Sequence, residues 1–234
     1  MPVKRIHILA NSAKNSEHCV AGRELIERDG RRYFGEWIRP VSRHGEGELS
    51  WFDCQLSYGQ LPKVFDVVDI PLEAHEGSIC QPENWIIERH RPWRRVAIEG
   101  DLPELIVDSP RLLWPEATAR GDRISPEALA KLNCGHSLYL IEVSRFRIQL
   151  SWRNYEGKLS TRRRALFIYD GRVYEFSLTD PVMDKYCSPF PKPEDGIKTV
   201  KLDSSGDCLL CVSLTPPFNG YHYKIVATVI ERKI

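Results

Sequence analysis

The stretch that leaves the fewest folds open is a pair of β-rich runs, Ala165–Tyr169 and Arg172–Leu178, joined by Asp170 and Gly171. Apolar and aromatic residues flanking an Asp-Gly pair, which tolerates the positive φ angles of a two-residue turn, form a β-hairpin. The short loop also sets the register. Tyr169 faces Arg172, Ile168 faces Val173 and Phe167 faces Tyr174, and each such cross-strand pair stabilises by roughly 0.2–1 kcal/mol. Further strands are expected at Lys4–Ala10, Cys19–Leu25, Tyr33–Val41, Lys63–Leu72, Ser137–Trp152, Cys208–Leu214 and Tyr221–Glu231. The last of these carries Tyr221, Tyr223, Ile225, Ala227 and Val229 on one face and His222, Lys224, Val226, Thr228 and Ile230 on the other, so its second half should be buried on both sides. Two stretches read as helices, Leu102–Asp108 and Ala128–Leu132. The second opens with Ser125 as a cap, Pro126 in the first turn and Glu127 near the positive end.

Five prolines (Pro92, Pro103, Pro110, Pro115, Pro126) fall between Arg89 and Ser137, where the strand patterns stop. The reading is therefore mainly β: an N-terminal β unit over 1–88, a Pro-rich, partly helical connector over 89–136, and a C-terminal β unit over 137–234. No period relates the two halves, so any fold they share is shared in structure and not in sequence.

Lys+Arg 33 against Asp+Glu 32 leaves a formal charge of +1, so no whole-molecule field attracts a polyanion and any nucleic-acid surface must be a local patch. With glycine the apolar share is about 48%, inside the roughly 45–50% of globular chains, which excludes disorder as the main state. The longest apolar run near the N-terminus, Ile8–Ala10, is shorter than the roughly 7–15 residues of a signal peptide's apolar stretch, and no window reaches the ~18 of a membrane helix. Seven irregularly spaced cysteines then read as reduced thiols in a soluble, cytoplasmic protein with no membrane partner.

Catalytic and metal-binding patterns are missing from the sequence. Cys208 and Cys211 sit three apart on an apolar strand and point to opposite faces, which suits a core filler better than a zinc ligand pair. Cys19 and His18 are neighbours on a strand and also point apart. The pairs Glu24/Glu27 and Asp66/Asp69 do not converge as acid and base, and the phosphate-loop, dinucleotide and nucleophile-elbow motifs do not occur. No catalytic residues, metal or cofactor are expected.

Several phrases stand in one order from residue 8 to about 230: Ile8–Ser12 with Lys14, Cys19–Gly22, Trp37–Ser42, Val64–Leu72 with Asp66, Gln81–Asn84, Thr179–Pro181, Cys211–Leu214, and Asn219-Gly220 through Tyr223–Ile225. Together they resemble the bacterial proteins that contain a dual OB domain. The resemblance implies two OB-like barrels, one per strand-rich half, an association with prokaryotic conflict or genome-defence systems that brings a protein partner, and a role in nucleic-acid recognition. It implies no catalytic residue set.

OB barrels hold oligonucleotides on a sheet face, with aromatic groups under bases and cations along the backbone. Between Arg145 and Arg172 the chain has eight basic residues against two acidic ones, interleaved with aromatics. Arg145, Arg147, Trp152, Arg153, Tyr155, Arg162, Arg163, Arg164 and Tyr169 are the candidate contacts for a single strand. The alternative for this stretch is a solvated hairpin edge, where positive charge discourages aggregation. A different reading places a small nucleotide or modified base in a polar pocket built from Asn11, Ser12, Lys14, Arg39, Gln81, Glu83 and Asn84, groups suited to a phosphate or a base edge but also ordinary in turns. Asp180 and Lys224 join that set from the second half. Asp180, next to a proline, is expected to bond nearby backbone amides, and a pair with Lys224 is conceivable. A third reading is a protein adaptor docking through Pro189–Pro193 or an exposed barrel edge.

Overall fold

Each strand expected from the sequence forms, and most run beyond the alternating segment that announced them. The computed structural model describes the chain apart from residues 1, 15–16, 45–46, 116–120, 133–134, 156–157, 191–196, 202–206 and 232–234. Two units emerge, Met1–Ile106 with Gly135–Leu138, and Val107–Cys134 with Tyr139–Ile234.

The first unit contains β1 (Val3–Lys14), β2 (Glu17–Arg28), β3 (Arg31–Val41), α1 (Trp51–Cys54), β4 (Val67–His75), β5 (Asn84–Ile87) and β6 (Arg94–Arg95). Five of these strands close a ring in the order β1-β2-β3-β5-β4, with β4 returning to β1. Every pairing in it is antiparallel except β3 with β5. Inward-facing Ile6, Ile8, Val20, Ile38, Val68 and Ile70 fill the interior together with Leu49, Leu56 and Trp93 from the connections. β6 lies outside the ring on β4, where Arg5 and Arg94 both reach the Asp69 carboxylate, at 2.8 Å and 2.6 Å. Burial alone would raise that carboxyl, but the two guanidinium hydrogen bonds outweigh it and hold it below its ordinary value.

The second unit contains β7 (Arg123–Ile124), α2 (Pro126–Leu132), β8 (Leu138–Tyr155), β9 (Lys158–Tyr169), β10 (Arg172–Leu178), α3 (Pro181–Cys187), β11 (Ile197–Lys201), β12 (Cys208–Phe218) and β13 (Tyr221–Glu231). Its ring runs β8-β9-β10-β13-β12 and closes back on β8. In chain order the third and fifth strands of the ring, β10 and β13, are again parallel, and a helix, α3, again stands between the third and fourth. Two closed five-stranded barrels of one topology, OB-like in both cases, are thus built from halves with no repeat in sequence.

Local turn chemistry accounts for much of this. The β9–β10 hairpin has the expected register, with Tyr169 opposite Arg172, Ile168 opposite Val173 and Phe167 opposite Tyr174. Asp29-Gly30 and Asn219-Gly220 make the same kind of turn, both residues at positive φ, between β2 and β3 and between β12 and β13. Val226 through Ile230 are buried on both faces, as the apolar second half of the last strand required.

Other expectations need correction. Leu102–Asp108 is not helical: Pro103 lies within it and Pro110 follows two residues after it, and Asp108 binds β8 instead, its N–H donating to the Leu140 carbonyl and its carboxylate accepting the Leu140 amide. α1 and α3 were not anticipated. Both are one or two turns long, too short for an apolar period to show, and are held by caps: Ser50 and Asp53 form a reciprocal capping box on α1, and Asp180 accepts the Val182 and Met183 amides of α3. β4 begins at Val67 and not Lys63, because Asp66 folds back onto the Lys63 amide and Phe65 takes φ 74°. The segment expected as a connector is divided, β6 joining the first sheet and β7 the second. No helix is long and apolar enough to cross a membrane among the described residues.

One buried group makes the fold pH-sensitive. His7 is 3% exposed on β1, stacked between Phe34 and Phe65 with centroids 5.2 Å and 5.7 Å away. Neither ring nitrogen has a hydrogen-bond partner among the described residues. Burial pushes its pKa below the ordinary 6.5, with the Phe65 carbonyl near enough to oppose the shift. The unfolded chain therefore binds this proton more readily than the folded one, so its contribution to stability is complete above about pH 6.5 and is lost as the pH falls toward the folded value. Thermal melts at pH 7.5 and pH 5 should show a smaller drop for His7→Phe than for the wild type; equal drops would assign the acid sensitivity elsewhere.

Candidate functional site

The basic stretch of the second unit lies mostly on the outer face of a sheet made by β10, β9, β8 and β11. β8 reaches this arrangement through a bulge between Ser144 and Arg147, where Arg145 adopts φ 54°. The extra residue shifts the alternation of the strand: Ile141 and Val143 point inward before it, and Phe146, Ile148 and Leu150 after it. Arg145 and Arg147 consequently both stand exposed, and neither has an ion-pair partner among the described residues. Cross-strand rows extend the face. Arg147 is opposite Leu166 and Lys201, Gln149 opposite Arg164 and Thr199, and Ser151 opposite Arg162 and Ile197. Leu166 and Ile168 are half-buried there, while Val173 is 76% exposed. Trp152 is half-buried opposite Thr161. Arg153 and Tyr155 occupy the paired end of the hairpin, and their side chains lie outside the described residues.

The arginine triplet does not form one patch. Arg162 is half-buried on the outer face, whereas Arg163, one residue on, turns to the opposite side and meets Asp184 of α3 at 2.8 Å. Arg164 returns to the outer face but is only 4% exposed. Its guanidinium donates to Asp122 at 2.8 Å, to Glu175 at 2.8 Å and to Ser177 at 3.1 Å, and so cannot hold a phosphate. Tyr169 is likewise withdrawn as a stacking platform: its ring points into the core, and its hydroxyl donates to the Pro110 carbonyl at 2.6 Å. Period-two alternation separated the adjacent arginines, and nearby carboxylates captured two of them.

The described polar residues proposed for a nucleotide pocket fall into several separate hydrogen-bonded groups. Arg39, Gln81, Glu83 and Asn84 do meet, in a buried network completed by Ser137. The Glu83 carboxylate accepts the Ser137 amide at 2.6 Å and its hydroxyl at 2.8 Å, while Arg39 donates to the Ser137 Oγ at 3.0 Å and to the Asn84 Oδ1 at 3.4 Å. Asn84 in turn donates to Gln81 at 3.1 Å. These groups tie β3, β5 and the 136–138 segment together. Asn11 donates instead to the Pro62 carbonyl at 2.9 Å, and Ser12 is buried along β1. Lys14 ends β1, and its side chain lies outside the described residues. Asp180 and Lys224 belong to the other unit. Asp180 caps α3 and accepts the Val229 amide of β13 at 2.8 Å, the backbone role its sequence context suggested. Lys224 donates to the Gly121 carbonyl at 2.8 Å. Asn84 borders a cleft of about 350 Å³, beside Arg43 and Glu76. Cys208 is fully buried, and burial pushes its thiol up to about 12, as befits a core filler.

A larger cleft, of about 700 Å³, draws its lining from two stretches far apart in the sequence, the first within 50–59 and the second 89–92, which is why no single local pattern announced the whole of it. It is lined by Phe52, Gln55, Ser57, Arg89, His90 and Arg91 among others. The available signal was Arg89-His-Arg-Pro-Trp-Arg-Arg95, four arginines in seven residues around a tryptophan.

The two classes of arginine should separate by stability. Arg164→Ala leaves Asp122 buried without its partner and is expected to cost about 3–5 kcal/mol, whereas Arg147→Ala should stay within about 0.5 kcal/mol of the wild type. Urea denaturation of both variants checks this, and similar losses would contradict the division of the patch.

No curated protein and no solved structure is significantly similar to the chain. A family model described as the dual OB-containing domain matches residues 4–229, from the second residue of β1 to near the end of β13, and so spans both barrels. By that match and by the two rings of common topology, the chain belongs to the dual OB-containing domain family.

Proposed function

We propose that this chain is a non-catalytic nucleic-acid-binding module that takes a single strand across the outer face of β9, β8 and β11. The observation that carries the reading is the pair Arg145 and Arg147, exposed and uncompensated on an open sheet face. Gln149, Ser151 and Thr199 add hydrogen-bonding groups along the same rows, Arg162 adds a third cation, and Leu166 and Ile168 offer apolar contact for bases. OB-type barrels bind oligonucleotides on a sheet face, so the fold supports the class of ligand. An αL arginine in a bulge is a conformation of local backbone strain, and such strain concentrates at functional positions. The family resemblance supports a setting in a prokaryotic conflict or defence system, and the cysteine usage supports the cytoplasm.

Fluorescence anisotropy with labelled single strands of about 20 nucleotides, at several salt concentrations, tests this. Three phosphates neutralised by Arg145, Arg147 and Arg162 give a log-log salt slope of about −2, at roughly 0.7 per phosphate. Arg145→Glu combined with Arg147→Glu should weaken binding and flatten that slope to less than half. Binding that ignores salt, or a double variant that binds like the wild type, would overturn the proposal.

A further inference from the structure

The cleft beside α1 in the first barrel has its own chemistry, independent of the β8 face. Phe52, which lines the cleft, is 77% exposed, a large aromatic that the barrel interior does not use. Trp51 and Phe52 meet edge to face at 5.2 Å. The interior is served instead by Cys54 and Leu56, their near neighbours, so α1 holds its aromatic pair on the water side. An exposed aromatic of this kind is a platform for a flat ring.

The cleft is also lined by a cationic, firmly placed segment. Trp93, 1% exposed, anchors it: the Ser57 amide donates to the Trp93 carbonyl at 2.9 Å and the Trp93 amide to the Gln55 carbonyl at 3.2 Å. His90 at φ 71° turns the chain so that Arg89 and Arg91 both border the cleft. Their side chains are 51% and 53% exposed, and each meets one carboxylate: Arg89 meets Asp53 at 3.5 Å, and Arg91 meets Glu88 at 3.1 Å. Asp53 is already committed to the amide and hydroxyl of Ser50. A guanidinium carries five donors, so most remain for an anion. Ser57 and Gln55, which also line the cleft, can pair with the edge of a base.

We propose that this cleft binds a nucleoside phosphate, the base against Phe52 and the phosphate between Arg89 and Arg91. Its volume lies within the roughly 300–1,000 Å³ of small-ligand sites. The ligand can be a free nucleotide or one unit of a single strand, since both present the same base and phosphate.

Calorimetric titration with AMP, UMP, adenosine and inorganic phosphate, and with a short 5′-phosphorylated oligonucleotide, tests the assignment. The protein should carry Arg145→Glu and Arg147→Glu throughout, so that the β8 face does not contribute. AMP should bind more tightly than adenosine. Phe52→Ala should weaken AMP about tenfold or more, and Phe52→Trp should restore it. Arg89→Ala with Arg91→Ala should erase the difference between AMP and adenosine. An oligonucleotide that binds more tightly than AMP, with the same dependence on Phe52, identifies a strand as the source; equal affinities identify the free nucleotide. Absence of binding at millimolar AMP, or a Phe52→Ala variant that binds like the wild type, would overturn the inference, and either result leaves the β8 face to be judged on its own salt dependence.

Discussion

Ring closure is the constraint on which each barrel depends, because five strands have two ladder edges to satisfy and only pairing the first with the fourth removes them. β1 meets β4 through Val3–His7 and β2 through Ile6–Lys14, so its middle residues are bonded on both sides while its two halves serve different neighbours. The irregularity between Ile8 and Ala10 bends the strand at the changeover. Close approach of β2 is required at the same place. A Cβ on Gly22 would fall 2.0 Å from the His7 carbonyl oxygen, so no larger residue can stand there without opening the ladder. β8 has its own bulge at Arg145, within its pairing to β9. That bulge shifts the strand's alternation and turns two arginines outward.

Charge is distributed by the same geometry. Arginine is abundant in this chain, yet its exposure follows from the facing carboxylates. Arg5 and Arg94 converge on Asp69, Arg164 on Asp122 and Glu175, and Arg163 on Asp184, each pair joining an element to its barrel. Exposed ion pairs of this kind contribute little to stability, but the nearly buried Arg164–Asp122 pair fixes where the β7 region lies on its sheet. Arg145 and Arg147 on one barrel stay exposed without an ion pair among the described residues, and Arg89 and Arg91 on the other are half exposed although each meets one carboxylate, in a chain of near-zero net charge. Function in this family member is therefore a matter of placement, since composition alone predicts no attraction for a polyanion.

Much of the fold was legible because its signals are local. The Asp170-Gly171 turn with its register, the alternation of Tyr221–Glu231 and the Ser125-Pro126 helix start each depend on residues within a few positions of one another. The elements that escaped are those stabilised from afar. β5 has four residues and exists because β3 and β4 pair with it on either side. α3 has a cap that also binds β13, and Leu102–Asp108, helical by its apolar content, gives up that conformation for bonds to Leu140.

The site was less legible than the fold for the same reason. Sequence by itself determined that two strand-rich halves would form β units, that the Arg145–Arg172 stretch would be cationic, and that Asp180 would bind backbone amides, since turn chemistry, charge and capping are properties of neighbouring residues. Only the tertiary structure decided which cations remain accessible, that Arg39, Glu83 and Asn84 would be spent on a network with Ser137, and that residues some forty positions apart, Phe52 and Arg89, would face one cleft. Accessibility and convergence depend on which chain segment arrives at a given face, and that is settled by ring closure across the whole barrel.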